Sequence, residues 1–258
     1  MITYLLATFG VSLAINMVMF LVAYKYQTDK LTDASYAITF IVLVGYGLAT
    51  GAYDIDKLLL AATIVLWALR LGSFLLIRIW KTGVDHRFDD MRNDFRKFAG
   101  FWFLQAISVW VILIPSLLAF NQADIVPTWL AAFGLLITGV GFWIETTADL
   151  QKYKFSQVKA NKGKWIDTGL WKYSRHPNYF GEILVWVGIY LYVLPSLPPV
   201  LALVGLVGPL FIISLLLFVS GIPPLEKSAN ERWGKDKNYQ EYKRRTSILV
   251  PLPPRKSA

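Results

Sequence analysis

Apolar runs long enough to cross a bilayer recur along nearly the whole of this 258-residue chain, and that recurrence leaves it few possible folds. A helix of about 20 apolar residues spans the ~30 Å hydrocarbon core. Inside that core only helices and closed barrels satisfy every backbone polar group. Seven runs qualify: 2–23, 34–53, 58–79, 98–120, 127–149, 180–194 and 200–220. The sixth is short, and Pro195-Ser-Leu-Pro-Pro199 turns tightly into the seventh, so this pair reads either as two spans or as a tilted or re-entrant hairpin. Composition agrees: 55% of residues are hydrophobic and mean hydropathy is +0.47, whereas a soluble domain must cover its surface with polar side chains. The expectation is an all-α, polytopic membrane protein of about seven transmembrane helices, forming one domain over 1–258. The first run has neither a basic leader nor an A-x-A-like cleavage site, so it reads as a span rather than a signal peptide. With no cysteine, disulfides and cysteine-based metal sites are excluded.

Charge sets the expected topology. Apart from Lys57 and Arg70, every lysine and arginine lies in segments 25–33, 78–97, 152–178 or the tail from Gly221. By the positive-inside rule these face the cytoplasm, which puts the N-terminus outside and the C-terminus in the cytoplasm. The formal net charge of +9 invites a nucleic-acid reading, but membrane insertion already accounts for it, so no nucleic-acid partner is expected. Insertion does not account for His176, Asp149 and several aromatics spaced closely among the same segments. A basic concave surface at the membrane face suits a polyanionic cofactor such as a dinucleotide.

Charges within spans are costly and usually functional. Asp33 opens the second run, Arg70 lies within the third, and Glu145 and Asp149 close the fifth. Glu145 and Asp149, four apart, share a helix face with Lys152. They read as ligand contacts, or, for Asp149 with Lys152, as a helix-end ion pair of little value. Arg70 reads as a cofactor contact or as a counter-ion to Asp33 or Glu145.

The densest polar cluster is Gly169-Leu-Trp-Lys-Tyr-Ser-Arg-His-Pro-Asn-Tyr-Phe-Gly-Glu182. Pro177 disfavours helix at His176, and Asn178 or Pro177 can open the next one, whose first amides suit a phosphate. Arg175 can clamp that phosphate in bidentate fashion, and His176 is a candidate contact beside it. Segment 85–92, with Asp85, Arg87 and Arg92, reads either as a solvated loop or, with Arg78 nearby, as a second cationic wall for the same anion. The tail from Glu226 through Tyr239 to Tyr242 reads either as an amphipathic helix on anionic membrane lipids or as a lid whose aromatics stack on a base. No P-loop, GxGxxG after a strand, GxSxG or HExxH occurs, so any dinucleotide must bind the helices themselves. No metal site is expected.

At Ser174-Arg-His-Pro-Asn-Tyr-Phe-Gly-Glu182 the chain resembles the steroid 5α-reductase and sterol reductase superfamily, and more closely its bacterial branch of unknown function. Ala148-Asp-Leu-Gln-Lys-Tyr-Lys-Phe155 matches a second signature. Thr32-Asp33, Asp85-His-Arg87 and Tyr239-Gln-Glu-Tyr242 before Leu249-Val-Pro251 follow in family order. Membrane methyltransferases acting on isoprenylcysteine or phospholipids carry a similar RHPxYxG. The resemblance implies NADPH in a cytoplasm-facing cavity of a bacterial inner-membrane protein, within a cofactor half over 78–258. It also implies a lipophilic enone substrate, steroid-like or polyprenyl-like, entering from the bilayer. The cofactor positions it implies are Glu145, Asp149, Lys152, Arg175, Asn178, Tyr179 and Glu182. Ser156 stands where reductases often carry a basic residue, and Trp67 near their substrate tyrosine. The expected activity is hydride transfer to a C=C bond, the alternatives being an S-adenosylmethionine-dependent methyltransferase or a non-catalytic lipid-binding protein. Such a reduction builds negative charge on a distant carbonyl oxygen, which needs a donor aimed at it. A desolvated Asp33, with Tyr36 one turn on, is the catalytic candidate, Asp33 reading also as a helix N-cap.

Overall fold

The computed structural model describes residues 1–52, 54–82, 88–89 and 91–255. They are helical, with no strand among the described residues. The helices are α1 (Ile2–Lys25), α2 (Leu31–Thr50), α3 (Ile55–Thr82), α4 (Phe95–Phe120), α5 (Trp129–Gln157), α6 (Pro177–Val193), α7 (Pro199–Gly205), α8 (Val207–Ser214), α9 (Ile222–Trp233) and α10 (Lys237–Arg245). Among the described residues, seven helical stretches are long and apolar enough to cross a membrane, the last running from Pro199 to Trp233 through a π-turn at Leu215–Val219. The protein is therefore a polytopic helical membrane protein, as the apolar runs require.

Two ends differ from expectation. Asp33 is not an N-cap: α2 begins at Leu31 behind Lys30, which places Asp33 in the first turn. Asp149 does not end α5, which continues eight residues to Gln157, so a helix-end ion pair with Lys152 is not its setting.

Two compact units divide the chain. The first comprises 1–131 and 193–208. Its centre is α4, buried without a break from Ile112 to Phe120, and an aromatic cluster of Phe20, Phe88, Phe98 and Trp102 packs with its first turns. Buried amides tie α1, α2 and α4 together: Gln105 Nε2 donates to Asn16 Oδ1 (2.9 Å) and Ser35 Oγ (2.6 Å), and Asn16 Nδ2 donates to Thr39 Oγ1 (3.2 Å). Between helices embedded in lipid such bonds hold where apolar burial gives little net drive. Lys57, alone among the lysines in lying off the cationic side, is buried, and its ammonium donates to the carbonyls of Ala52, Gln122 and Ala123 at 2.6–3.1 Å. It acts as a latch between two turns.

The second unit comprises 132–192 and 209–258. Here α5 and α6 run antiparallel in backbone contact through glycines seven apart on each helix. A Cβ on Gly181 would lie 2.6 Å from the Glu145 amide nitrogen, and one on Gly188 would lie 2.6 Å from the Gly134 carbonyl oxygen. Small residues that let backbones meet are the usual device for packing helices in lipid. We expect Gly181→Val to destabilise the protein by about 1–3 kcal/mol, the scale of an overpacked core. Gly139→Val, where nothing lies within 4 Å, should be tolerated. Thermal unfolding of the two variants in one detergent separates them, and equal midpoints would contradict the packing.

Candidate functional site

The second unit holds a cavity of about 700 Å³, within the range of small-molecule and cofactor sites. Its floor starts at the α6 N-terminus, which Pro177 opens as its fixed φ favours. Just before it the chain is pinned extended against the C-terminal segment. The Arg175 amide donates to the Ser247 carbonyl (2.8 Å), Ser174 Oγ donates to the Leu249 carbonyl (2.6 Å), and the His176 amide donates back to Ser174 Oγ (3.1 Å). These bonds aim Arg175 and His176 into the cavity, which both of them line.

Glu226 of α9 meets them there. Its carboxylate pairs with the Arg175 guanidinium, lies 2.9 Å from His176 Nε2 and 3.7 Å from Lys243 Nζ. The Arg175 Nε–H is buried and has no acceptor among the described residues. His176 stacks on Tyr179 with ring centroids 5.7 Å apart. Burial pushes the His176 imidazole below its ordinary 6.5, against the opposing pull of its bond to Glu226. The unfolded chain therefore binds the extra proton more readily, and the stability that neutral His176 supplies is present above pH 6.5 and lost as pH falls through it. We expect the melting temperature to fall between roughly pH 7 and pH 5, and His176→Gln to flatten that slope. An unchanged slope in the variant would remove His176 as the cause.

One wall is the segment after α5. Trp171 Nε1 donates to the Ala148 carbonyl (3.0 Å), and the Leu170 amide donates to Gln151 Oε1 (2.9 Å), fastening this segment to α5. Lys152 holds its ammonium 4.7 Å above the Trp171 ring. The opposite wall is the tail, which folds as α9 and α10 over the cavity. Tyr239 is buried, 5.2 Å from the Trp165 ring and 5.7 Å from Trp233, and Tyr242 donates to the Trp171 carbonyl (2.8 Å). Burial raises both tyrosine hydroxyls above their ordinary range.

Of the residues expected from sequence, Lys152, Arg175, His176, Glu226 and Tyr239 line this cavity. A second group packs where α5 meets α6. Glu145 and Asp149 are buried, Asn178 Nδ2 donates to Asp149 Oδ1 (3.2 Å), and Glu182 is half-buried one turn on. In the first unit, Asp33 is not surrounded by apolar groups alone, because Arg78 Nη2 lies 3.6 Å from its carboxylate. Tyr36 packs edge-on to Phe40 and Trp67. Arg70 is half-buried within α3. Arg92 pairs with Asp89 and lies 3.9 Å from Asp29, so carboxylates already compensate this part of the expected cationic wall. Asp85 and Arg87 lie outside the described residues. Phe155, which closes the second signature, also lines the cavity, as do Trp165 and Arg232, which were not singled out from sequence; for Trp165 the stretch from Gly163 to Trp171, with two tryptophans, was the available signal.

A search of curated proteins and one of solved structures find no match to this chain. A family model described as a protein of unknown function, DUF1295, matches residues 19–246, from the middle of α1 to the end of α10. Every residue lining the cavity falls within that match, and the chain belongs to the DUF1295 family.

Proposed function

We propose that the protein is a membrane-embedded reductase that binds NADPH in the cavity of the second unit and reduces a C=C bond of a lipophilic enone. The observation that carries the reading is the cavity itself. Arg175, His176 and Lys152 stand at its base beside stacking rings, and a buried guanidinium N–H there lacks an acceptor among the described residues. That donor set fits the phosphates of a dinucleotide, which charge-assisted bonds recognise. Motif resemblance to sterol reductases supports the reaction class, and the clustering of lysine and arginine in alternate segments supports a cytoplasmic cavity with the N-terminus outside.

NADPH, when bound, supplies a hydride to the substrate's conjugated carbon. The protein's part is to hold, orient and protonate. Arg175 and Lys152 neutralise phosphate charge, and the Tyr239 and Trp165 rings cover the site against water. As hydride arrives, negative charge grows on the substrate carbonyl oxygen, and a donor fixed there lowers the barrier. Tyr36 carries the proton suited to that task. Asp33, held against Arg78, orients the donor and balances its charge. Glu145 and Asp149 position the first turns of α6, on which the cofactor contacts depend.

A thermal-shift series on detergent-purified protein tests the reading with NADPH, NADP, NADH, S-adenosylmethionine and its demethylated product. A ligand at 100 times its dissociation constant stabilises by ~2.7 kcal/mol. Stabilisation by NADPH and not by the methyl donor is the expected result. The reverse result assigns the cavity to a methyltransferase, and no shift with any ligand favours a lipid-binding role.

A further inference from the structure

The cavity's cations fall into two classes. Arg175 is engaged by Glu226, and Lys152 by the Trp171 ring. Lys162, Lys164 and Arg232 are exposed at the rim, and none has an ion-pair partner among the described residues. They are nevertheless held in place. The Lys164 amide donates to the Asn161 carbonyl (3.0 Å), closing a turn with Lys162 at φ −58°, ψ 127° and Gly163 at φ +81°. Those angles are a type II turn, whose third position needs glycine. Trp233, next to Arg232 at the end of α9, donates its Nε1–H to the Gly163 carbonyl at 2.6 Å, fastening that turn to the helix. Trp165, Trp233 and Tyr239 pack with centroids 5.2–6.0 Å apart immediately beside these cations, and the buried Trp165 Nε1–H has no acceptor among the described residues.

Three uncompensated cations around aromatic rings form a receptor for an anionic group carried close to a planar base. Aromatic side chains stack any base, and arginine meets a phosphate through a planar fork. We propose that Lys162, Lys164 and Arg232 bind the 2′-phosphate of the cofactor's adenosine while Trp165 and Trp233 pack on the adenine, which makes this rim the determinant of NADPH over NADH. The inference rests on the reading of the cavity as a dinucleotide site. It assigns the dinucleotide's direction: adenosine at the turn 161–164, pyrophosphate toward Arg175.

Calorimetric titration of the purified protein with NADPH, NADH and 2′,5′-ADP, on wild type and Arg232→Glu, tests it. A Lys162→Ala/Lys164→Ala double variant is measured alongside, since it keeps α9 untouched. Wild type should prefer NADPH, and 2′,5′-ADP should compete with it. Each variant should lose about 10- to 100-fold for NADPH and 2′,5′-ADP, the scale of losing a charge-assisted contact, while NADH changes less than about threefold. NADPH and NADH weakened in parallel, or an unchanged ratio, overturns the assignment and leaves the dinucleotide reading standing. Wild type that binds neither dinucleotide overturns both.

Discussion

Arg175→Ala protein is expected to bind NADPH roughly 10- to 150-fold more weakly than wild type, a loss of about 1.5–3 kcal/mol. The guanidinium lines the cavity and reaches Glu226 with one Nη, so its second Nη can meet a phosphate oxygen without releasing that carboxylate. Arg175→Lys should restore only part of the loss, because an ammonium returns the charge and not the fork. Binding should weaken as salt rises. Removing Arg175 also leaves Glu226 less compensated, so thermal unfolding is measured beside titration. A folded Arg175→Ala protein with wild-type affinity would dispose of the phosphate role.

On the proposed reading, Asp33→Asn should slow enone reduction by about 100-fold or more while NADPH affinity stays near wild type, the pattern left by losing transition-state support rather than ground-state binding. Tyr36→Phe should do the same by removing the phenolic proton itself. The comparison needs a substrate panel of steroid enones, quinone-like and polyprenyl compounds, followed by single-turnover rates. Asp149→Ala should show the opposite split, weakening the cofactor first, because its carboxylate anchors Asn178 at the first turn of α6. If Asp33→Asn also loses NADPH, Asp33 serves the fold through Arg78 and the donor lies elsewhere. Asp54 is a poor substitute, because its carboxylate accepts the Ile125 amide at 2.9 Å and is held below the usual range by that bond. Tyr53 lies outside the described residues.

The spans were legible because bilayer thickness dictates run length, and hydropathy records it directly. Their ends were not, for reasons visible at single residues. Helix α4 starts at Phe95 because Asp94 accepts the amides of Arg96 and Lys97, while hydropathy places the start at 98, beyond those charges. Helix α5 runs on to Gln157 through polar residues that a helix outside lipid accommodates. Within the site, the Arg-His-Pro-Asn stretch was legible because proline fixes a helix start and three polar side chains crowd one turn. Its partner Glu226 lies fifty residues from His176, a separation that no helical period encodes. Gln105 and Asn16 were equally hidden: each sits alone in an apolar run, and only the packing of α1 against α4 brings them together. The glycines at 134, 141, 181 and 188 carried a seven-residue spacing on both helices, a readable sign of close packing.

Calorimetric titration of NADPH into wild type and Ala229→Trp tests most directly whether the cofactor occupies this cavity. Ala229 lines it from α9 without carrying charge, so a tryptophan there fills volume and leaves Arg175, His176 and Lys152 in place. Wild type should bind NADPH, and the filled variant, still folded by thermal unfolding, should bind at least about 10-fold more weakly. Equal affinity in the two proteins would contradict a cofactor in this cavity, and absence of NADPH binding by wild type would contradict the reductase altogether.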